Sequence, residues 1–241
     1  MSTVQSSVNI PPPARPWTLG WLLEAGVTVL AMAVFGLLLS ILLEWLGMLL
    51  WWPEQGVQHS ARLLAQELGV LNQDFRAVVF GSSPVQLAEQ FAAWTYQYSG
   101  LAGLLGWLSA PPVSDFSPLQ IYAQAYAVSF IDYLLAAATI SQVYGVRMAV
   151  ALLSLPVFLL FGLVGLVDGL VQRDLRRFGG GIESGFIYHH LKPLLKPLFW
   201  LPFLIYLTCP VSLHPSAVFV PPAIVFALIV AKTASRFKKY L

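Results

Sequence analysis

The chain has 241 residues, of which 58% are hydrophobic and 10% charged, and its mean hydropathy is +0.74. Soluble domains carry about 25% charged residues, so this composition excludes a soluble protein and places most of the chain in lipid. The net charge of +2 is too small for nucleic-acid binding by bulk electrostatics, and the single cysteine, Cys209, excludes an intrachain disulfide.

The N-terminal part of the sequence predicts a tail and one membrane anchor. Residues 1–16 are polar and punctuated by prolines, which indicates a flexible cytoplasmic tail. Residues 17–52 are almost continuously apolar and predict the first transmembrane helix, an uncleaved signal anchor whose core, residues 25–43, crosses the bilayer. Glu24 and Glu44 flank that core, so we expect both carboxylates at interfaces rather than in a proton relay.

The segment 53–130 is more polar and has an excess of acids, which is typical of a translocated domain and predicts a helical periplasmic domain. Leucines at helical spacing predict an amphipathic helix over 57–69. Ser83 and Ser117 are each followed by proline and, three residues on, by glutamine, which is a helix-start signature. The apolar run 101–108 is too short to span; it either dips into the membrane or packs on the bundle.

A long helix is predicted over residues 131–172, and its second transmembrane span covers 148–167. Arg147 lies at the outer end of this span, where we expect its side chain to reach the lipid headgroups. Pro156 lies inside the span and predicts a kink, because proline removes one helical hydrogen bond.

The last part of the sequence alternates basic and apolar segments. A basic cytoplasmic loop over 173–193 precedes a transmembrane hairpin over 194–231, whose third and fourth spans are 194–211 and 217–231. A basic tail, 232–241, follows. Ten of the thirteen basic residues then lie on one side, as the positive-inside rule requires. The sequence therefore predicts an all-α integral membrane protein of the bacterial inner membrane, with four transmembrane helices, a helical periplasmic domain between the first two, and both termini cytoplasmic.

The basic loop holds the residues that we single out for binding a partner or lipid. They are Arg173, Asp174, Arg176, Arg177, Phe178, Glu183, Tyr188, His189 and His190. The basic residues fit two roles, orientation on anionic lipid at roughly 1 kcal/mol each, or bidentate pairing with carboxylates of a cytoplasmic protein.

No pattern of catalytic or ligand-binding residues emerges from the sequence. The glycines at 179–181 lack the strand and the Gly-Lys-Ser/Thr ending of a nucleotide-binding loop. Glu183, His189 and His190 do not have the spacing of metal ligands, and His59 and His214 stand isolated. We therefore predict no catalytic residues, no metal, no cofactor and no enzymatic activity.

The loop also carries a family resemblance. The run from Asp168 to Gly179 (DGLVQRDLRRFG), followed by Glu183 to His189 (ESGFIYH), resembles the signature of the integrating conjugative element membrane proteins, small inner-membrane proteins encoded beside the conjugative coupling ATPase. This resemblance implies a role in bacterial type IV secretion during DNA conjugation, with the hexameric coupling ATPase as a membrane partner. The family has no assigned catalytic residues.

The combined prediction is a non-enzymatic scaffold of a conjugative transfer apparatus. Its expected partners are membrane lipid, the coupling ATPase and other transfer proteins; homo-oligomer packing is allowed, and sequence-specific nucleic-acid binding is not expected. One alternative is an entry-exclusion or surface-recognition protein that acts through residues 53–130. A weaker alternative is a small permease or intramembrane enzyme that uses Glu24, Glu44, Arg147, Asp168 and the histidines.

Overall fold

The computed structural model describes residues 19–74, 83–109, 130–179 and 185–236, together with Tyr122 and Tyr126 as isolated positions. The longer described ranges contain helices and no strand. The helices are α1 (Leu19–Leu50), α2 (Val57–Asp74), α3 (Pro84–Tyr98), α4 (Leu101–Ser109), α5 (Ile131–Phe178), α6 (Gly185–Thr208) and α7 (Pro215–Ser235). The all-α prediction is confirmed for these ranges.

The chain divides into two compact units, Met1–Phe35 and Gly36–Leu241. In the first unit, the described residues belong to α1 and form an apolar helix whose leucines and valines are exposed. The second unit holds the rest of α1 and the other six helices named above.

Three helices within the described ranges are long and apolar enough to cross a membrane: Gly26–Leu50 of α1, the whole of α5, and α7. They contain the predicted first, second and fourth spans. The predicted third span, 194–211, falls mostly in α6, which is not among these three helices. Helix α6 differs from these three helices in carrying Lys192 and Lys196 within its length, together with three prolines.

The 48-residue helix α5 is the axis of the larger unit, because α2, α3, α4, α6 and α7 all pack against it. It stays helical through Pro156 and extends to Phe178, beyond the predicted end at residue 172, so the first six residues of the predicted basic loop are helical. The N-terminal half of α5, up to Ala151, is buried by α2 and α3. The C-terminal half contacts α6 and α7 and leaves many leucines and valines exposed.

The predicted outer helices are present, with one change of length. Ser83 forms the expected capping box: its hydroxyl accepts a hydrogen bond from the Gln86 amide, while the Gln86 side chain accepts one from the Ser83 amide. Helix α2 continues through Gly69 to Asp74, so the predicted end at Gly69 is wrong. Helix α4 packs on α3 and α5, and Leu108 is buried there. The predicted helix start at Ser117 lies outside the described residues.

Helices α5 and α7 run parallel and approach closely. Phe158 of α5 lies beside Phe219 of α7, with ring centroids 6.4 Å apart, and further along the pair Gly165 meets the backbone of Ala227. Gly169 meets Ala231 another turn on. Small residues in register on two helices let the backbones approach, which is how helices associate in lipid without a hydrophobic driving force.

Candidate functional site

The predicted binding residues begin at the C-terminal end of α5, where the chain leaves its last apolar turn. Arg173 and Asp174 form an ion pair with a nitrogen–oxygen distance of 3.2 Å. The Nε of Arg176 is buried, with no hydrogen-bond partner among the described residues. Arg177 is exposed, and the Phe178 side chain is 91% exposed. This end of α5 therefore presents a cation and an aromatic ring side by side.

The other predicted residues are only partly visible. Glu183 lies outside the described residues. The backbone of Tyr188 and His189 belongs to the first turns of α6, but their side chains are not described. His190 is exposed on the same helix. The structure thus places Arg173 to Phe178 together on one helix end. It does not give their distance from the segment 183–189. Within the described residues, no group of three His, Cys, Asp or Glu side chains could hold a metal ion.

A buried polar centre lies where α2 and α5 meet the turn between α6 and α7. The Arg147 guanidinium is 1% exposed and donates to Glu67 Oε1 from Nε at 3.0 Å and from Nη2 at 2.7 Å. Tyr206 donates its hydroxyl hydrogen to Glu67 Oε2 at 3.3 Å. The expectation that Arg147 reaches the lipid headgroups is therefore wrong, because a carboxylate within the protein satisfies its charge instead.

Arg147 also binds the backbone just beyond the end of α6. Its guanidinium donates to the carbonyl of Cys209 and, at 2.8 Å, to the carbonyl of Val211. Carbonyls at a helix end have no partner within the helix, and a buried end needs one from elsewhere. Arg147 supplies it, so this one side chain on α5 joins α2 to the turn between α6 and α7.

The spacing of apolar residues along α2 contains a signal for this centre. Glu67 lies four residues after Leu63 and four before Leu71, both of which are buried. An acid in the middle of an apolar helix face must find a charged partner when the face packs. The partner, Arg147, is 80 residues away in sequence, and no local pattern links the two.

A second buried pair joins α1 to α2. Glu44 is 1% exposed, and its two carboxylate oxygens lie 3.0 and 3.2 Å from Nδ1 of His59. The Trp52 ring stacks on the His59 ring with centroids 4.0 Å apart. Glu44 is therefore not a solvated interfacial residue, and His59 is not isolated. Nearby, the indole of Trp45 donates to the carbonyl of Tyr133 at 2.9 Å, which fixes α1 to α5.

His214 is not isolated either, because it has a structural role. It is the N-cap residue of α7, and its Nδ1 accepts a hydrogen bond from the Ser216 amide at 3.3 Å. Together the two polar pairs and this cap link α1, α2, α5 and the start of α7 through buried or capping hydrogen bonds. The predicted binding residues Arg173 to Phe178 lie apart from these contacts, at the C-terminal end of α5.

A comparison with protein families gives one match. Residues 51–238 match the family described as IncC plasmid conjugative DNA transfer protein DtrJ-like. The match begins just after α1 and includes both the buried Arg147 centre and the basic end of α5. No curated protein sequence and no solved structure matches the chain. Because the match covers well over half of its residues, the chain belongs to the DtrJ-like family of conjugative DNA transfer proteins.

Proposed function

We propose that this protein is a non-enzymatic inner-membrane component of a type IV secretion apparatus for conjugation, and that it holds the coupling ATPase at the membrane. Family membership supports the role in DNA transfer. The loop motif lies inside the matched range, and its resemblance to integrating conjugative element proteins favours a system of that kind. The coupling ATPase is the partner because the docking residues would face the cytoplasm, where such a motor works.

The proposed topology has four spans with both termini in the cytoplasm and the α2–α4 domain in the periplasm. Basic residues at the end of α5 and in the last turn of α7 support this orientation, since short loops rich in Lys and Arg stay inside. Helix α6 would be the third span. Its lysines, Lys192 and Lys196, lie near its cytoplasmic end, where they can reach the headgroups, and the exposed Leu201, Leu204 and Ile205 would face lipid.

One observation carries the docking proposal: α5 continues as a helix past its apolar span and presents exposed Arg177 and Phe178 at its end. The helix sets the backbone positions of both residues relative to the apolar span. Arginine and aromatic residues are enriched among the residues that dominate the energy of protein interfaces. Arg173 and Arg176 extend the same basic surface toward the α7 side of the helix.

A capture experiment tests this role. The tagged chain, solubilised in detergent, is used to capture the coupling ATPase of the same conjugative system, with wild type beside an Arg173/Arg176/Arg177→Ala variant. We expect at least a ten-fold loss of captured ATPase in the triple variant. A Lys196/Lys232→Ala variant is the matched control, because it removes exposed cations from α6 and α7 and should keep capture.

The captured amounts can be compared only if all three chains insert into the membrane in the same way. Labelling of engineered cysteines from either side of the membrane should give the same pattern in all three chains. Normal conjugation frequency after complete removal of the chain would overturn the proposed function. If the triple variant and the lysine control lost equal amounts of captured ATPase, the docking surface would not lie at the end of α5.

A further inference from the structure

The C-terminal end of α5 has two sides of different character. Gly169 packs on α7, and Arg173 and Arg176 follow it on the same side of the helix, four and seven residues later. Phe178 comes nine residues after Gly169, which is half a turn away from that side. The arginines nearest to α7 and the exposed aromatic ring therefore lie on different sides of one helix end.

The side away from α7 holds Asp174, Arg177 and Phe178. Arg177 and Phe178 lie three and four residues after Asp174, and side chains at these spacings are neighbours on a helix surface. The Phe178 side chain is 91% exposed. Arg177 is exposed too, and its side chain has no ion pair or hydrogen bond with the part of the chain that the structure describes. Both side chains are therefore available to another molecule.

The carboxylate of Asp174 pairs with the arginine before it in the sequence. The Arg173 guanidinium donates to Asp174 Oδ1 from Nε at 3.3 Å and from Nη2 at 3.2 Å. An acid and an arginine three residues apart on a helix can form the same kind of pair, so Arg173 and Arg177 compete for this carboxylate. Because Arg173 holds it, the Arg177 guanidinium stays free to bind an acid on another protein.

Arg176 is less available than Arg177. Its side chain is half-buried, and its Nε is enclosed without a hydrogen-bond partner among the described residues. The three arginines at this helix end thus differ in state: one is paired, one is partly enclosed and one is free.

The distance of Phe178 from the predicted span favours a protein over lipid as the molecule that covers it. Phe178 lies eleven residues after residue 167, where the predicted span ends, which is about 16 Å along the helix. The headgroup layer adds only about 5–8 Å to each side of the hydrocarbon core. With α5 as a span, the ring therefore extends past the headgroups into water.

The chemistry of the two free side chains defines the surface that fits them. Arginine makes short, often bidentate hydrogen bonds with a carboxylate. An exposed phenylalanine ring gains free energy when it leaves water for an apolar pocket. A protein surface that carries Asp or Glu beside such a pocket satisfies both.

We propose that Arg177 and Phe178 are the anchor of the contact with the coupling ATPase, and that they bind an acidic side chain beside an apolar pocket of that protein. Arg173 is a positioning residue for this contact, because it keeps the carboxylate of Asp174 away from Arg177. This inference rests on the proposed function and deepens it, since it separates the arginine that touches the partner from the one that acts through Asp174.

Single substitutions in the full-length chain test the anchor. The chain, solubilised in detergent, is titrated with the coupling ATPase of the same conjugative system. We expect at least ten-fold weaker binding for Arg177→Ala and for Phe178→Ala, and binding close to wild type for Phe178→Leu, which keeps an apolar side chain. Lys232→Ala removes an exposed cation from the end of α7 and is the matched control, which should bind as the wild type does.

A double substitution tests the role of Arg173. Arg173→Ala should weaken binding about three-fold, within the range of exposed ion pairs, because it releases Asp174 to pair with Arg177. Asp174→Ala alone should not weaken binding, and Arg173→Ala/Asp174→Ala should bind at least as well as the wild type. If Arg173 touched the ATPase directly, the double variant would bind as weakly as Arg173→Ala, and that result would overturn the positioning role.

The outcomes separate this inference from the proposed function. If the wild type captures the ATPase and the variants at Arg177 and Phe178 bind it equally well, the anchor is wrong and the ATPase contact lies elsewhere on the chain. If the wild type captures no ATPase, the proposed docking and the anchor are both wrong. The substituted side chains lie at the surface, so side-specific cysteine labelling should give the wild-type insertion pattern for every variant.

Discussion

The two halves of α5 are buried by different means. Thirteen of its sixteen buried residues precede Leu152, and three follow it. In the N-terminal half, α2 and α3 cover alanines and the charged Arg147, whose guanidinium donates hydrogen bonds to Glu67 and to the Val211 carbonyl. In the C-terminal half, contact with α7 depends on glycines and aromatic rings, and long apolar side chains remain exposed. One helix thus combines a core closed by a charge pair with an interface closed by backbone contact.

Different contacts hold the two halves. A helix that packs in water gains stability by removing apolar area from water, and a buried ion pair persists if its hydrogen bonds are complete. In lipid, the solvent is as apolar as the side chains, so only close packing and polar contacts favour association. We therefore expect substitutions in the N-terminal half to act through charge, and those in the C-terminal half through volume.

The largest expected effect is from Arg147→Ala. This change leaves Glu67 buried without its cation and leaves the Cys209 and Val211 carbonyls without a donor, and breaking a buried ion pair costs about 3–5 kcal/mol. We expect low abundance in membranes and a lower thermal-aggregation temperature in detergent. The double variant Glu67→Leu/Arg147→Met removes both charges and should recover part of the loss. A double variant less stable than Arg147→Ala would contradict the role of the ion pair.

A volume change in the C-terminal half should come next. A Cβ atom at Gly165 would overlap the Ala227 carbonyl, so Gly165→Leu must separate α5 from α7 at a cost of roughly 1–3 kcal/mol. Gly103→Leu is the control, since a Cβ atom there would meet no atom within 4 Å. The measurement is disulfide formation between cysteines introduced on α5 and α7, which should fall only in the Gly165 variant. Equal cross-linking in both would show that the close approach is not needed.

The smallest effect expected is at the start of α3. Ser83→Ala removes the side-chain acceptor of the capping box and should cost about 1 kcal/mol. Limited proteolysis of the outer domain should be slightly faster, with conjugation unchanged. Ser83→Asp keeps an acceptor at the N-cap and serves as the control. A loss as large as that of Arg147→Ala would mean that α3 is held by its cap and not by its packing on α5.

Local signals in the sequence predicted the helices well and the site less well. The capping box at Ser83 and the apolar run of α7 are each encoded by neighbouring residues, whereas α5 continues six residues past its predicted end at residue 172. The Arg147–Glu67 pair is not, because its members meet only when α2 packs on α5. The close contact at Gly165 had a partial signal in the small residues spaced along both helices. Helix α6 is long enough for a membrane span, but it contains Lys192, Lys196 and three prolines, so its composition supports a span less than its length does.

The bonds from Arg147 to the turn after α6 also bear on how the protein is assembled. The α6–α7 hairpin is synthesised after α5, so the donor for the turn between its two helices is already present on α5, itself held by Glu67 of a segment synthesised earlier still. The hairpin is therefore an incomplete piece if made alone, since its turn depends on a side chain from the preceding fragment. A chain divided between α5 and α6 should be recovered as a functional pair only when both fragments are made together in the same membrane.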